Sequence, residues 1–190
     1  MRLSFLLLLV AALAGCKTLP EPANPATERP DLAGQTPFSV SGRIAVKHED
    51  KRDSTNLYWA HTSQGDEITL LGPLGRTVAR ITRNAGGAAL DTSDDHYEAG
   101  SIEELTQKVF GWQLPLDGLI YWVMALPDPS RESEIETGEY GQIAALRQDG
   151  WNIHYLRYLS SAPNSLPQRL SMTRDGLDIL LLVDTWDIPH

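Results

Sequence analysis

Cys16 is the only cysteine among the 190 residues of the chain, and it closes the run Leu13-Ala14-Gly15-Cys16 directly behind an apolar stretch. A thiol in that position is a candidate for lipid attachment. Once acylated it leaves no cysteine for a disulfide, so the fold must be held by packing. The other side chains capable of chemistry form no constellation. His48, His61, His96, His154 and His190 show neither HxH nor HExxH spacing and no CxxC exists, so no metal site is expected. Asp94-Asp95-His96 reads as a solvated turn, no GxSxG elbow marks a serine hydrolase, and Gly86-Gly87 fits no phosphate loop. The expectation is a protein that is not an enzyme and carries no cofactor beyond covalent lipid on Cys16.

The elements around Cys16 agree with that chemistry. Arg2 supplies a short positive start, and Leu3 to Leu13 form an apolar run broken only by Ser4, too short to cross a bilayer core. Residues 1–15 read as a removable signal peptide. The four residues ending in Cys16 resemble the lipobox of bacterial lipoproteins, which implies cleavage after Gly15, a diacylglyceryl thioether on the sulfur and a third acyl chain on the new amino terminus. One acyl chain holds a protein marginally at about 0.8 kcal/mol per buried methylene; two or three hold it durably. Loss of Arg2 with the signal takes the formal charge from −9 to −10. An acidic chain argues against nucleic acid and against a basic patch for anionic headgroups. Membrane contact must then be made by lipid or by apolar residues.

Residues 16–37 carry Pro20, Pro22, Pro25, Pro30 and Pro37, which deny both helix and sheet ladder, so this stretch reads as a lipidated tether. Residues 38–190 form one domain. From Phe38 the period is two: Phe38, Val40, Gly42, Ile44 and Val46 alternate with Ser39, Ser41, Arg43, Ala45 and Lys47. Further strands are expected over Thr55 to Ala60, Glu67 to Leu71, Thr77 to Thr82, Ala88 to Thr92 and His96 to Ala99. Ser101-Ile102-Glu103-Glu104 then fits a capping box, opening a helix that ends at Gly111. Leu114-Pro115 opens a second helix with an apolar face of Leu116, Leu119, Ile120, Val123 and Met124, ended by Pro127. The acidic run Arg131 to Glu139 reads as an exposed loop. Asp149-Gly150 and Asp175-Gly176 mark two hairpins, the first between Ile143 to Gln148 and Trp151 to Tyr158, the second between Arg169 to Arg174 and Leu177 to Thr185.

Several of these segments together resemble one family: Ser41-Gly42-Arg43-Ile44-Ala45-Val46, Leu57-Tyr58-Trp59, Gly72-Pro73-Leu74-Gly75, Leu114-Pro115-Leu116 leading into Tyr121 to Pro127, Asp149-Gly150-Trp151, and Asp184-Thr185-Trp186. With the lipobox, their order and spacing are similar to those of the LolB family of outer-membrane lipoprotein receptors, over Phe38 to Trp186. The resemblance implies a mainly β (α+β) fold. In it a curved antiparallel sheet of roughly ten or eleven strands forms a half-open barrel, with helices covering the opening and an apolar cavity beneath them. It implies a monomer, lipid-anchored in the bacterial outer membrane and facing the periplasm. It also implies that this protein accepts acylated lipoprotein cargo from a LolA-type periplasmic carrier and inserts it into the outer membrane.

On that reading the cavity is lined by Val40, Ile44, Leu57, Trp59, Ile68 and Leu70 from the first strands, and by Leu119, Trp122, Val123 and Leu126 from the second helix, with Trp151, Ile153 and Tyr155 as a far wall. Composition alone reads the same residues as a packed core. The turn Gly72-Pro73-Leu74-Gly75 places an apolar side chain where few neighbours can bury it. In the family a leucine of this loop is implicated in passing cargo to the membrane, and by motif it is Leu74. Two features bear on the anchor. The prolines of 16–37 leave no room for the helix that some family members place before the first strand, and Lys17 rather than aspartate after the cysteine points to the outer membrane. A structural or assembly lipoprotein docking on an outer-membrane protein remains the alternative. A lipid-processing enzyme would need a polar triad that the chain does not display.

Overall fold

The computed structural model describes residues 29–30 and 36–189. Residues 1–15, Cys16 and most of the tether lie outside the described residues. Eleven strands form one antiparallel sheet: β1 (Phe38–His48), β2 (Lys51–Thr62), β3 (Gly65–Leu71), β4 (Thr77–Asn84), β5 (Gly87–Thr92), β6 (His96–Ala99), β7 (Ser133–Thr137), β8 (Ile143–Gln148), β9 (Trp151–Tyr158), β10 (Pro167–Arg174) and β11 (Leu177–Asp187). Their order is β6-β5-β4-β3-β2-β1-β11-β10-β9-β8-β7. The chain thus starts in the middle, runs out to one edge, and must cross to the other. Helices α1 (Ile102–Phe110) and α2 (Leu116–Trp122) lie in that crossing. A sheet this wide curls under its own twist, and the crossing segment covers the concave face.

Turns alternate between two rims. The β1–β2 tip, the β3–β4 loop and the β8–β9 and β10–β11 turns share the upper rim; the start of β1 and the β2–β3, β4–β5 and β9–β10 connections share the lower one. Both Asp-Gly turns hold two left-handed residues, with φ of 52° and 76° at Asp149-Gly150 and 50° and 79° at Asp175-Gly176, the geometry that matches strand twist. The two halves close on each other where β1 pairs β11, with a bulge between Ser41 and Gly42. A Cβ on Gly42 would lie 2.0 Å from the Leu182 carbonyl oxygen, so only glycine admits this approach.

Helix α1 is capped as its sequence reads. The Ser101 hydroxyl accepts from Glu104 N at 3.2 Å, Glu104 Oε2 accepts from Gly100 N at 3.1 Å, and Gly111 ends the helix at φ 80°. Two expectations are corrected. Helix α2 stops at Trp122, short of Pro127, because the chain closes a Schellman turn there: Leu126 N donates to Tyr121 O at 3.1 Å and Ala125 N to Trp122 O at 3.0 Å. Ala125 takes the left-handed position, φ 55°, usually given to glycine. The acidic run Arg131 to Glu139 is not all loop, since Ser133–Thr137 is the edge strand β7, exposed along its whole length. Arg147 holds it, bonding Glu136 at 2.9 Å and Glu134 at 3.5 Å. Within the stretch 16–37, Arg29 N donates to Asn164 O at 2.7 Å, on the lower rim.

Candidate functional site

Beneath the helices the concave face leaves a cavity of about 400 Å³. Its floor is the inward face of the central strands, where cross-strand partners put like residues side by side: Ile44 opposite Leu181, Val46 opposite Ile179, Leu57 opposite Leu70 and Trp59 opposite Ile68. Ile81 and Met172 extend it on β4 and β10, and its roof is Leu114, Leu116 and Leu119. Few polar groups reach the wall: Asp53 and Ser54 stand exposed at its mouth, and the two threonines farther in are already bonded. Thr106 Oγ1 donates to Ile102 O at 2.9 Å while accepting Leu114 N at 2.9 Å, and Thr55 Oγ1 donates to Leu71 O at 2.8 Å. The space behind the mouth therefore suits a hydrocarbon.

The opening lies toward the upper rim, between exposed Asp53 and Ser54 on β2 and the ring pair Phe110–Trp112, which stacks at 5.7 Å behind Gly111. The β3–β4 loop stands on the same rim, since Leu71 pairs with Asn56. Gly72 N donates to Arg76 O at 2.8 Å and closes the loop, and Leu74 sits at its tip with φ 64° and its side chain fully exposed, 101 %. An exposed leucine alone is unremarkable. One held in the left-handed region, beside half-exposed Val78, at the rim where an apolar cavity opens, is a built apolar tip.

The sequence-read lining divides in two. Ile44, Leu57, Trp59, Ile68, Leu70 and Leu119 stand on the cavity wall. Val40, Trp122, Val123, Trp151, Ile153 and Tyr155 do not: they are buried in a solid core, and Leu126 packs on that core partly exposed. The reason is where α2 ends. Its last residues drop onto β8–β10, Trp122 lies 6.1 Å from Trp151, and Tyr155 Oη donates to Trp122 O at 2.8 Å, so that half of the concave face is filled. Burial pushes the Tyr155 hydroxyl well above its ordinary value and keeps it a donor. Gln148 secures the seal. Its Oε1 accepts Trp122 Nε1 and Asp128 N, both at 2.8 Å, and its Nε2 donates to Asp128 O and Arg131 O. Sequence reasoning missed Val46, Ile81, Leu114, Leu116, Met172, Ile179, Leu181 and the Phe110–Trp112 pair. Val46 continues the alternation of Ile44 and was within reach; the β11 positions need the β1–β11 pairing, which no local pattern announces.

A polar cluster on the lower half braces wall and roof together. Trp59 keeps its ring on the cavity wall by donating Nε1 to Asp66 Oδ1 at 2.8 Å, where His61 Nδ1 also lies at 2.9 Å. Asp66 Oδ2 accepts Arg83 Nε at 2.9 Å, and Arg83 reaches on to Asp117 in the first turn of α2. Burial alone would raise the Asp66 carboxyl, but the bonds from His61 and Trp59 and the Arg83 charge outweigh it and hold it below the usual carboxylate value. Folding thus favours the ionised form. The stabilisation is complete above the ordinary carboxylate value and is lost as pH falls through the lower folded one. We expect Asp66→Asn to be destabilised by about 3 kcal/mol at pH 7 in denaturant titrations, with the gap to wild type narrowing below about pH 4. An unchanged gap at low pH would show that the charge of Asp66 does not carry the effect.

Among the described residues no His, Cys, Asp and Glu group is placed to hold a metal. A family model described as "Outer membrane lipoprotein LolB" matches residues 36–186. The chain is 36 % identical over 185 residues to the outer-membrane lipoprotein LolB of Chromobacterium violaceum, covering 95 % of this chain and 96 % of that one. It is 37 % identical over 186 residues to the protein of the same name from Thiobacillus denitrificans, covering 97 % of each. Among solved structures, a LolA superfamily protein from Nitrosomonas europaea superimposes with a TM-score of 0.50 at 10 % identity, over 85 % of this chain and 89 % of that one, a likeness of fold.

Proposed function

This chain belongs to the LolB family of outer-membrane lipoproteins, and from that premise we propose that it is a receptor that takes the acyl chains of lipoproteins from a LolA-type carrier into its apolar cavity and passes them to the outer membrane. Its task is trafficking rather than catalysis. Its own lipid, on Cys16, holds it at that membrane facing the periplasm. The observation that carries the reading is the pairing of a cavity walled almost wholly by apolar side chains with the exposed Leu74 on the same rim.

The magnitudes agree. An acyl chain of about sixteen carbons, at roughly 30 Å³ per methylene, the space a water takes in the liquid, occupies roughly 450 Å³. The cavity of about 400 Å³ is of that size. Leaving such a chain in water would cost on the order of 10 kcal/mol at about 0.8 kcal/mol per methylene, so a carrier must offer it an apolar wall at every step. The test is to mix the soluble domain, residues 29–190, with cargo held on a LolA-type carrier. Transfer of cargo to the domain is expected, and failure to take it up would remove the receptor reading. A solid core docking on a protein partner, the alternative from sequence, is disfavoured by the cavity itself.

A further inference from the structure

The cavity wall changes character along one strand. On β2, Trp59, Leu57, Thr55 and Asp53 share the inward face at steps of two, and all four line the cavity. From the lower half to the upper rim they pass from an aromatic ring to a leucine, a hydroxyl and a carboxyl. Asp53 stands opposite Val46, which is itself on the wall. An apolar residue at that position would extend the wall, and aspartate is a poor strand former. Among the described residues no other charged side chain lines the cavity. None of the neighbouring cations pairs with it. Lys47 and Arg52 are partners on the convex side, where Lys47 lies 3.9 Å from Asp178. Lys51 and His48, partners across the tip, share the inward face with Asp53 but stand farther out, off the wall.

We infer that Asp53 sets the specificity of the mouth: it admits acyl chains whose polar end is uncharged and turns away those that end in an anion. This deepens the receptor reading and rests on the cavity taking acyl chains. One chain of about sixteen carbons fills a space of this size, so its polar end stops at the mouth, beside Asp53. On a lipidated amino-terminal cysteine that end is an ester or an amide and carries no charge. In a membrane phospholipid a phosphate anion follows the glycerol directly. A zwitterionic headgroup is no exception, because its ammonium lies beyond the phosphate, in the direction of Lys51. A receptor held at a bilayer is surrounded by such phospholipids, and an apolar wall cannot tell their chains from those of cargo. A like charge at the mouth can, by rejecting the wrong ligand rather than attracting the right one. Two like charges about 7 Å apart at a surface, at an effective dielectric constant of roughly 40 to 80, shift an equilibrium roughly three- to sevenfold.

The experiment uses the whole chain from Cys16 to His190, produced unacylated, and three amphiphiles that share one saturated twelve-carbon chain: dodecyl phosphate, 1-monolaurin and dodecylammonium. Each is titrated below its micelle concentration, at neutral pH and low salt. Asp53→Asn should tighten dodecyl phosphate at least threefold, weaken dodecylammonium by about as much, and leave monolaurin within about twofold. Both shifts should shrink at about 0.5 M salt. Lys51→Gln, with Asp53 in place, should not relax the rejection of the phosphate. A merely structural change at the rim moves all three ligands in one direction, whereas a charge filter moves the two ions oppositely. Unchanged affinities for the two ions in Asp53→Asn, a common shift of all three ligands, or a phosphate affinity raised by Lys51→Gln would overturn the inference while leaving the receptor reading in place. If the wild type bound none of the three, the cavity would take no acyl chain, and the receptor reading would fall together with this one.

Discussion

Leu74→Glu is expected to accept cargo at the wild-type level and to deliver almost none. The side chain is 101 % exposed, so its loss removes no packing, and the loop is closed by the backbone bond between Gly72 and Arg76. Glutamate at a φ of 64° is no more strained than leucine there. Melting temperature and uptake should both be unchanged. What changes is the partition of the tip into a bilayer. Burial of a leucine is worth about 2 kcal/mol, and a carboxylate at the same depth is penalised by a further few kcal/mol, so productive contact falls by more than a hundredfold. Cargo should accumulate on the protein instead of reaching outer-membrane vesicles. Leu74→Ala should fall between, and Leu74→Phe should deliver normally. Normal release by the glutamate variant would deprive the loop of its role.

That Leu74 was legible at all follows from its turn. Gly72, Pro73 and Gly75 declare a tight loop, and an apolar residue inside one has nowhere to hide. The same holds for the alternation of β1, the Asp-Gly turns and the Ser101 cap of α1, each governed by contacts a few residues apart. The end of α2 was read wrongly for the opposite reason. The usual stop signal is glycine, but here an alanine takes the left-handed position, and its carbonyl and the one before it are held by Arg29 from 95 and 96 residues away. That stopping point decides which half of the concave face is filled by Trp122 and which stays hollow. So the division of the apolar residues into wall and core could not be read locally, although almost every one of them was correctly placed on the inward face. Strand β7 escaped because it is exposed on both faces and carries no alternation to read.

Filling the hollow half separates cavity from core more sharply than removing side chains does. Ile44 and Leu70 stand on the wall from β1 and β3, both partly exposed, and Leu70 faces only Ala79 on β4. In a packed core, Ile44→Phe with Leu70→Trp would force side chains off their rotamers and cost about 1–3 kcal/mol for each overfilled site. In a cavity the added rings enter free space and gain contacts, so stability is retained or rises. We expect the double variant to melt no lower than wild type and to take up cargo at least tenfold less well, because the volume left is too small for one acyl chain. It is the complement of Leu74→Glu, which fills normally and does not empty. A double variant that lost several degrees of melting temperature yet still bound cargo would place the acyl chains elsewhere. One that kept both stability and uptake would mean that the roof of α1 and α2 lifts to make room, and the capacity of the site would then be set by the Arg83–Asp117 pair that ties that roof to the sheet.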